Sequence, residues 1–217
     1  MLQLLSLKKC YGDVPVFTAV SLSLARGEFV ALLGESGVGK STLLNCIAGL
    51  DEADSGQVLI QGRDLKGLDD CARALLRREQ LGFVFQAFHV LPHLSVAENV
   101  SLPLRLQGRL DPARVDQVLA DVGLGGLGQR LPAQLSGGQL QRVAIARAVV
   151  HAPGLILADE PTGNLDPTTA DKVMRVLRDQ VREAGSACLL VTHSLAAAQA
   201  ADRVLRLTPQ GVEVVLA

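Results

Sequence analysis

The stretch EFVALLGESGVGKSTLLNCIAGL (28–50) joins an apolar run to a glycine-rich turn and then to helix-forming residues with no spacer. EFVALLG (28–34) has the length and apolarity of a buried strand ending in glycine, and KSTLLNCIAGL (40–50) continues as a helix. A strand running straight into a helix is half of a strand–helix–strand crossover, the unit from which parallel sheets are built. The turn itself, GESGVGKS (34–41), fits G-x-x-x-x-G-K-[ST]. Its glycines let backbone N–H groups curl around phosphate oxygens. Lys40 can neutralise β- and γ-phosphate charge, and Ser41 can ligate Mg²⁺. Gly34, Glu35, Ser36, Gly37, Val38, Gly39, Lys40, Ser41 and Thr42 are therefore the candidate nucleotide-binding residues.

The rest of the chain alternates in the same way. QVLIQG (57–62), GFVFQ (82–86), LILAD (155–159), CLLVTH (188–193) and RVLRL (203–207) read as strands. A helix is marked by Asp166 as N-cap, Pro167 at its first position, apolar Val173, Val176, Leu177 and Val181, and Gly185 as its stop. From about 87 to 134 the texture changes, with prolines 92, 103, 112 and 132 and the run GLGGLGQ breaking short helical patterns. There Asp111-Pro112 starts a helix that places Val115, Val118, Leu119 and Val122 on one face. The expectation is one α/β domain over 1–217, with a mainly parallel core over about 1–86 and 154–217 and a helical subdomain over about 87–153.

Composition narrows the function classes. With 48% hydrophobic residues in 217, the chain can bury a substantial core. Lys plus Arg total 21 against 22 Asp plus Glu, so no overall positive field exists to hold a phosphate backbone, and 3% aromatics leave few stacking platforms; both argue against nucleic acid as a partner. Cys10, Cys46, Cys71 and Cys188 form no ligand spacing and read as reduced thiols. His89 and His93 stand four apart across Pro92 with no acid beside them, which argues against zinc. The N-terminus lacks signal-peptide features, and no apolar run reaches the roughly 20 residues that span a bilayer. Work at a membrane would need another polypeptide as anchor.

Two further segments carry chemistry. LILADE (155–160) is an apolar strand ending in two acids, which puts Asp159 at the carboxyl edge of the sheet, where it suits outer-shell Mg²⁺ contact. Glu160 could then polarise an attacking water; the alternative is that the acids merely end the strand. LSGGQLQR (135–142) opens a strongly apolar helix with Ser136, Gly137, Gly138 and Gln139, a second site where N–H groups and the helix dipole favour an anion.

The P-loop, LSGGQ, LADEP and VTHS, in that order and spacing, resemble the ATP-binding subunits of ABC transporters over essentially the whole chain. The resemblance implies a P-loop core with an N-terminal antiparallel β subdomain and a helical signature-motif subdomain, binding ATP and Mg²⁺. It implies that Tyr11 stacks on adenine, against the alternative of a partly buried strand tyrosine. It also implies that Gln86 meets Mg²⁺ and the water, that Glu160 is the catalytic base, and that His193 donates to the γ-phosphate. Asp166 would cross to a partner subunit while also capping its helix. Two copies would pack head to tail, with Ser136, Gly137, Gly138 and Gln139 of one meeting ATP on the P-loop of the other. Leu140 departs from the family, in which that position is usually polar.

LADEPTGNLD (157–166) and GFVFQAFHVLPHLSVAENV (82–100) most resemble the branch of lipoprotein-releasing, macrolide-exporting and cell-division ATPases. The partners implied are a second copy and integral membrane permease subunits, at the cytoplasmic face of the bacterial inner membrane. Phe88, Val90 and Leu91 are expected to be exposed for docking to the permease, a buried loop being the alternative. Lipoprotein release leads, with a macrolide or peptide exporter and a regulatory cell-division scaffold as alternatives. A soluble relative acting in translation or DNA repair is disfavoured because such proteins usually carry two cassettes or a long coiled-coil insertion.

Overall fold

The computed structural model describes Met1 to Leu216. Its strands are β1 (Leu2–Tyr11), β2 (Val14–Leu24), β3 (Phe29–Leu33), β4 (Ser55–Ile60), β5 (Arg63–Asp64), β6 (Leu81–Phe85), β7 (Leu155–Asp159), β8 (Ala187–Thr192), β9 (Arg203–Thr208) and β10 (Gly211–Leu216). Its helices are α1 (Lys40–Ile47), α2 (Asp70–Gln80), α3 (Val96–Leu106), α4 (Pro112–Asp121), α5 (Gly137–Val149), α6 (Pro167–Ala184) and α7 (Leu195–Ala198).

The strands form a four-stranded antiparallel sheet, β2-β1-β4-β5, and a six-stranded sheet, β10-β9-β3-β8-β7-β6. In the larger sheet β9, β3, β8, β7 and β6 run parallel, and β10 is antiparallel to β9. This is the α/β architecture expected from the sequence, with the antiparallel subdomain at the N-terminus.

Strand periodicity explains the layering. On β3, Phe29, Ala31 and Leu33 join the core shared with α3 to α6, while Val30 and Leu32 join the core under α1 and the antiparallel sheet. Ile156 and Ala158 of β7 face the first core, and Leu155 and Leu157 face the second. A strand buried on both faces reads as a continuous apolar run, which is why these segments were visible in the sequence. Each fully buried Leu or Ile contributes about 1.5–3 kcal/mol, so both faces hold the sheet rigidly beneath the loops at its carboxyl edge.

The helix ends are set by local chemistry. Asp69, Ser95, Asp111, Ser136, Asp166 and Ser194 each cap the following helix by accepting a backbone N–H, and Gly185 ends α6 at φ 61°. Helix α1 alone among the α-helices of the described residues has no side-chain cap: its N-cap is Gly39, at φ 99°. Helix α5 packs tightly on the sheet, with a Cβ built on Gly82 of β6 falling 2.3 Å from the carbonyl oxygen of Ala148. The four cysteines are free, and burial pushes the Cys46 thiol up to about 11 and the Cys188 thiol still higher.

Candidate active site

The site is assembled by strand order. Strand β8 lies between β3 and β7, so its end emerges between the glycine-rich loop after β3 and the acids after β7. Tyr11, Val16, Ser36, Gly37, Gly39, Lys40, Ser41, Thr42, Gln86, Asp159, Glu160 and His193 line one open cleft of about 550 Å³. A second cleft, of about 940 Å³, is lined by Gly34 to Val38, shares Ser36, Gly37 and His193 with the first, and is closed on its other side by Arg206 to Gln210.

The uncapped start of α1 opens into this region, so its N–H groups and the helix dipole are available to an anion. Lys40 Nζ curls over the loop, donating to the carbonyls of Gly34 at 2.8 Å and Glu35 at 2.9 Å. Ser41 Oγ donates to Asp159 Oδ2 at 2.9 Å. Burial is the main cause that raises the Asp159 carboxyl above its ordinary value, with the charge of Glu160 adding; the Ser41 hydrogen bond and Lys40 pull it down. A hydroxyl and a carboxylate, both hard oxygen donors, suit a small dication, whose charge would reverse the cost of burying Asp159.

Glu160 is held tightly by β8. Its backbone N–H donates to the Val191 carbonyl at 2.9 Å, with Glu160 itself in the left-handed region at φ 46°. Its Oε2 accepts from Thr192 Oγ1 at 2.8 Å, and its Oε1 meets both the His193 N–H and His193 Nδ1 at 2.8 Å. Facing a carboxylate, Nδ1 carries the hydrogen, which leaves Nε2 as the ring nitrogen for a phosphate oxygen. Donation from Nε2 as well therefore requires the imidazolium or a turn of the ring.

Gln86, at the end of β6, pairs reciprocally with Asn164: its Nε2 donates to Asn164 Oδ1 at 3.0 Å, and Asn164 Nδ2 donates to the Gln86 carbonyl at 3.0 Å. Gly163 makes room for this pairing, since a Cβ there would lie 2.8 Å from the Gln86 amide nitrogen. Tyr11 is 55% exposed at the mouth of the cleft, not a partly buried strand residue. Its hydroxyl donates to Asp51 Oδ2 at 2.7 Å, and Lys9 Nζ lies 4.9 Å from its ring centroid while binding Asp51 Oδ1 at 2.6 Å. Lys9, then Tyr11, holds the Asp51 carboxyl below its usual range.

The second candidate anion site lies elsewhere. Ser136, Gly137, Gly138, Gln139 and Asp166 do not line the cleft around Lys40. Ser136 Oγ accepts from Gln139 N at 3.3 Å and Gln139 Oε1 accepts from Ser136 N at 2.8 Å, a capping box that leaves the N–H groups of Gly137 and Gly138 without an acceptor among the described residues. Asp166 Oδ1 caps α6 by accepting from Thr169 N at 3.1 Å. The starts of α5 and α6 touch, with a Cβ on Gly138 falling 2.4 Å from Thr169 Cγ2.

One expectation is corrected. Phe88 and Val90 are half-buried, Val90 packing on the core, and of the expected exposed trio only Leu91 is exposed. Phe88 and His89 both adopt positive φ, and Arg147 of α5 donates to both their carbonyls, turning the loop inward. Asn99, fully buried, pins Leu91 from the other side by accepting its N–H and donating to its carbonyl. Asn164, Thr192, Asp51 and Arg147 were missed because each acts through a partner distant in sequence.

Comparison with known proteins agrees with this geometry. The ABC transporter family model matches residues 17–163. A lipoprotein-releasing system ATP-binding protein LolD of Roseobacter denitrificans is 47% identical, covering 89% of this chain and 87% of that protein. The uncharacterized ABC transporter ATP-binding protein YbbA of Escherichia coli is 47% identical over 93% of this chain and 91% of that protein. A macrolide export ATP-binding/permease protein MacB of Syntrophobacter fumaroxidans is 43% identical over 98% of this chain but only 31% of its own length. Among solved structures, the dimeric structure of MJ0796, a bacterial ABC transporter cassette, matches with a TM-score of 0.87 at 39% identity, covering 98% of this chain and 97% of that one. A post-hydrolysis state of that cassette bound to ADP and Pi matches with a TM-score of 0.87 at 37% identity over the full length of both chains. The chain belongs to the ABC transporter family as an ATP-binding cassette, on the side of the family that contains LolD and MacB.

Proposed function

We propose that this chain hydrolyses ATP between two head-to-tail copies of itself and passes the closing motion to separate membrane subunits that release lipoprotein. The observation that carries the catalytic part is the convergence of the uncapped α1 end, the Ser41–Asp159 pair and Glu160 on one cleft, with Ser136 to Gln139 lying outside it. One chain thus supplies the phosphate cradle and a second chain supplies the start of α5.

In this reading the β- and γ-phosphates lie on the N–H groups of Gly37 to Ser41, Lys40 leaves its own carbonyls for phosphate oxygens, and Tyr11 stacks on adenine. Ser41, Asp159 and Gln86 would hold Mg²⁺, which when bound neutralises charge on the phosphates. Glu160 takes a proton from water as the water oxygen bonds the γ-phosphorus, and the β,γ-bridging oxygen leaves on ADP with the electron pair. With its ring turned away from Glu160, His193 donates an N–H to the transferred phosphate. Gly137 and Gly138 of the partner copy supply N–H groups to the γ-phosphate, so ATP completes the interface and its hydrolysis loosens it.

The membrane role comes from the relatives. No helix among the described residues is long and apolar enough to cross a membrane; following LolD, the membrane subunits are taken as separate partners at the cytoplasmic face of the inner membrane. LolD supports lipoprotein as cargo through 47% identity, and MacB supports a macrolide-type exporter as the second reading through 43% identity. Identifying the membrane proteins that co-purify with the tagged chain separates the two.

Glu160→Gln tests the catalytic reading. Turnover should fall about 10²- to 10⁴-fold, with ATP still bound and the dimer accumulating on size exclusion. Near-normal hydrolysis would refute the role of Glu160.

A further inference from the structure

We infer that Thr192 is a positioning residue for ATP hydrolysis, aiming Glu160 by occupying one of its two carboxylate oxygens; this rests on the reading of Glu160 as the base. Thr192 ends β8, pairs in register with Leu33 of β3 and is fully buried. It is a polar side chain in an otherwise apolar strand, and a β-branched one with few rotamers available.

Its hydroxyl has one hydrogen to give. The N–H of Ser194 donates to Thr192 Oγ1 at 3.0 Å, so the oxygen already serves as an acceptor on that side. The hydrogen is then directed at Glu160 Oε2, 2.8 Å away. This direction follows from the chemistry of the pair, because a carboxylate oxygen has no hydrogen to donate in return.

The donors on Glu160 differ in permanence. His193 meets Oε1 from a side chain that is 69% exposed, free to swing toward another acceptor, whereas Thr192 is 0% exposed and fixed by its strand. Oε2 is therefore held by the hydroxyl and Oε1 by the His193 main-chain N–H at 2.8 Å, and only the ring contact on Oε1 is given up when the imidazole turns away. Thr192 thereby fixes the carboxylate plane together with the His193 main-chain N–H, and the departing ring leaves a lone pair of Oε1 open to water. It also opposes rotation of a carboxylate whose backbone sits in the left-handed region at φ 46°. Replacing the hydroxyl by a methyl group of the same shape would leave Oε2 unpartnered and let the carboxylate pivot about the single main-chain bond on Oε1.

The test is steady-state ATPase of the purified full-length chain carrying Thr192→Val, Thr192→Ala or Thr192→Ser, with thermal melting of each. Both hydroxyl-free variants should lose about tenfold in kcat, with KM for ATP within about twofold. Serine, which keeps the hydroxyl, should recover kcat to within about threefold of the parent. In a Glu160→Gln background the Thr192→Val change should cost nothing further, because the group it aims is already disabled. Unchanged kcat in a folded Thr192→Val or Thr192→Ala protein overturns the inference, as does a serine variant no better than valine. Normal turnover in Glu160→Gln alone overturns the base assignment instead, so the two failures are told apart.

Discussion

Replacing Ser136 by arginine separates the two things that LSGGQ can do, because the structure gives the serine a job within its own chain. Ser136 caps α5 by accepting the Gln139 N–H, and Gln139 returns the bond to the Ser136 N–H. Losing a cap of this kind costs about 1 kcal/mol, and a positive side chain at the positive end of a helix adds about 0.3–1 kcal/mol. A local cost of about 1–2 kcal/mol lowers Tm by about 2–8 °C in a chain of this size, which leaves the protein folded at 25 °C. Ser136→Ala pays the capping cost alone and serves as the control. Neither change touches the cleft lined by Lys40, Ser41 and Asp159, so ATP affinity measured by fluorescent-nucleotide titration should stay within about twofold in both. If the start of α5 meets ATP on a second copy, Ser136→Arg abolishes hydrolysis and the ATP-dependent dimer, whereas Ser136→Ala retains a substantial part of both. Normal hydrolysis by Ser136→Arg, or equal loss in both variants with equal loss of Tm, would refute the shared site and leave LSGGQ as a helix cap.

Gly82→Ala tests the packing that holds α5 on the sheet: a Cβ 2.3 Å from the Ala148 carbonyl forces overpacking worth about 1–3 kcal/mol, seen as a Tm lower by about 2–12 °C in calorimetry. An unchanged Tm would contradict that contact. Asp51→Asn weakens the tether on Tyr11 and should raise KM for ATP by about 2- to 10-fold with kcat unchanged, in contrast to the Thr192 variants. The same substitution reports on pH, because Lys9 and Tyr11 hold the folded-state Asp51 carboxyl below its ordinary value. Its contribution is present above the unfolded value of about 3.9 and is lost as pH falls through the depressed folded value, so the parent and the variant should converge in stability on acidification. A stability difference that grows at low pH would reverse the assignment.

The parts of this molecule legible in sequence are those whose physics is local. The glycine loop, the two-sided apolar strands, the caps at Asp111, Ser136 and Asp166 and the stop at Gly185 all act within a few residues of themselves. Helix α2 escaped because it buries only Leu76, so the rest of its surface carries no apolar stripe to read. Strand β1 hid its alternation behind an irregularity between Leu4 and Leu7, where Ser6 adopts φ 50° and the buried face resumes one residue late. Phe88 and Val90 looked exposed because nothing near them in sequence announces Arg147, which lies 58 and 59 residues away from the carbonyls it holds.

The least local fact is the one on which the chemistry depends. Along the chain β3, β7 and β8 come in that order, yet in the sheet β8 is inserted between the other two. Insertion places Thr192 and His193 against Glu160, 32 and 33 residues back in the chain, while Asp159 still reaches Ser41, 118 residues back. Had β7 paired with β3 directly, the acids would stand beside the loop with no strand end between them, and Glu160 would lack the hydroxyl and the main-chain N–H that orient it. Strand order converts two acids at the end of a strand into one that faces Ser41 and one that is oriented by β8, as the proposed proton transfer requires. LADE and VTH, separately weak as motifs, become a single device only through that insertion.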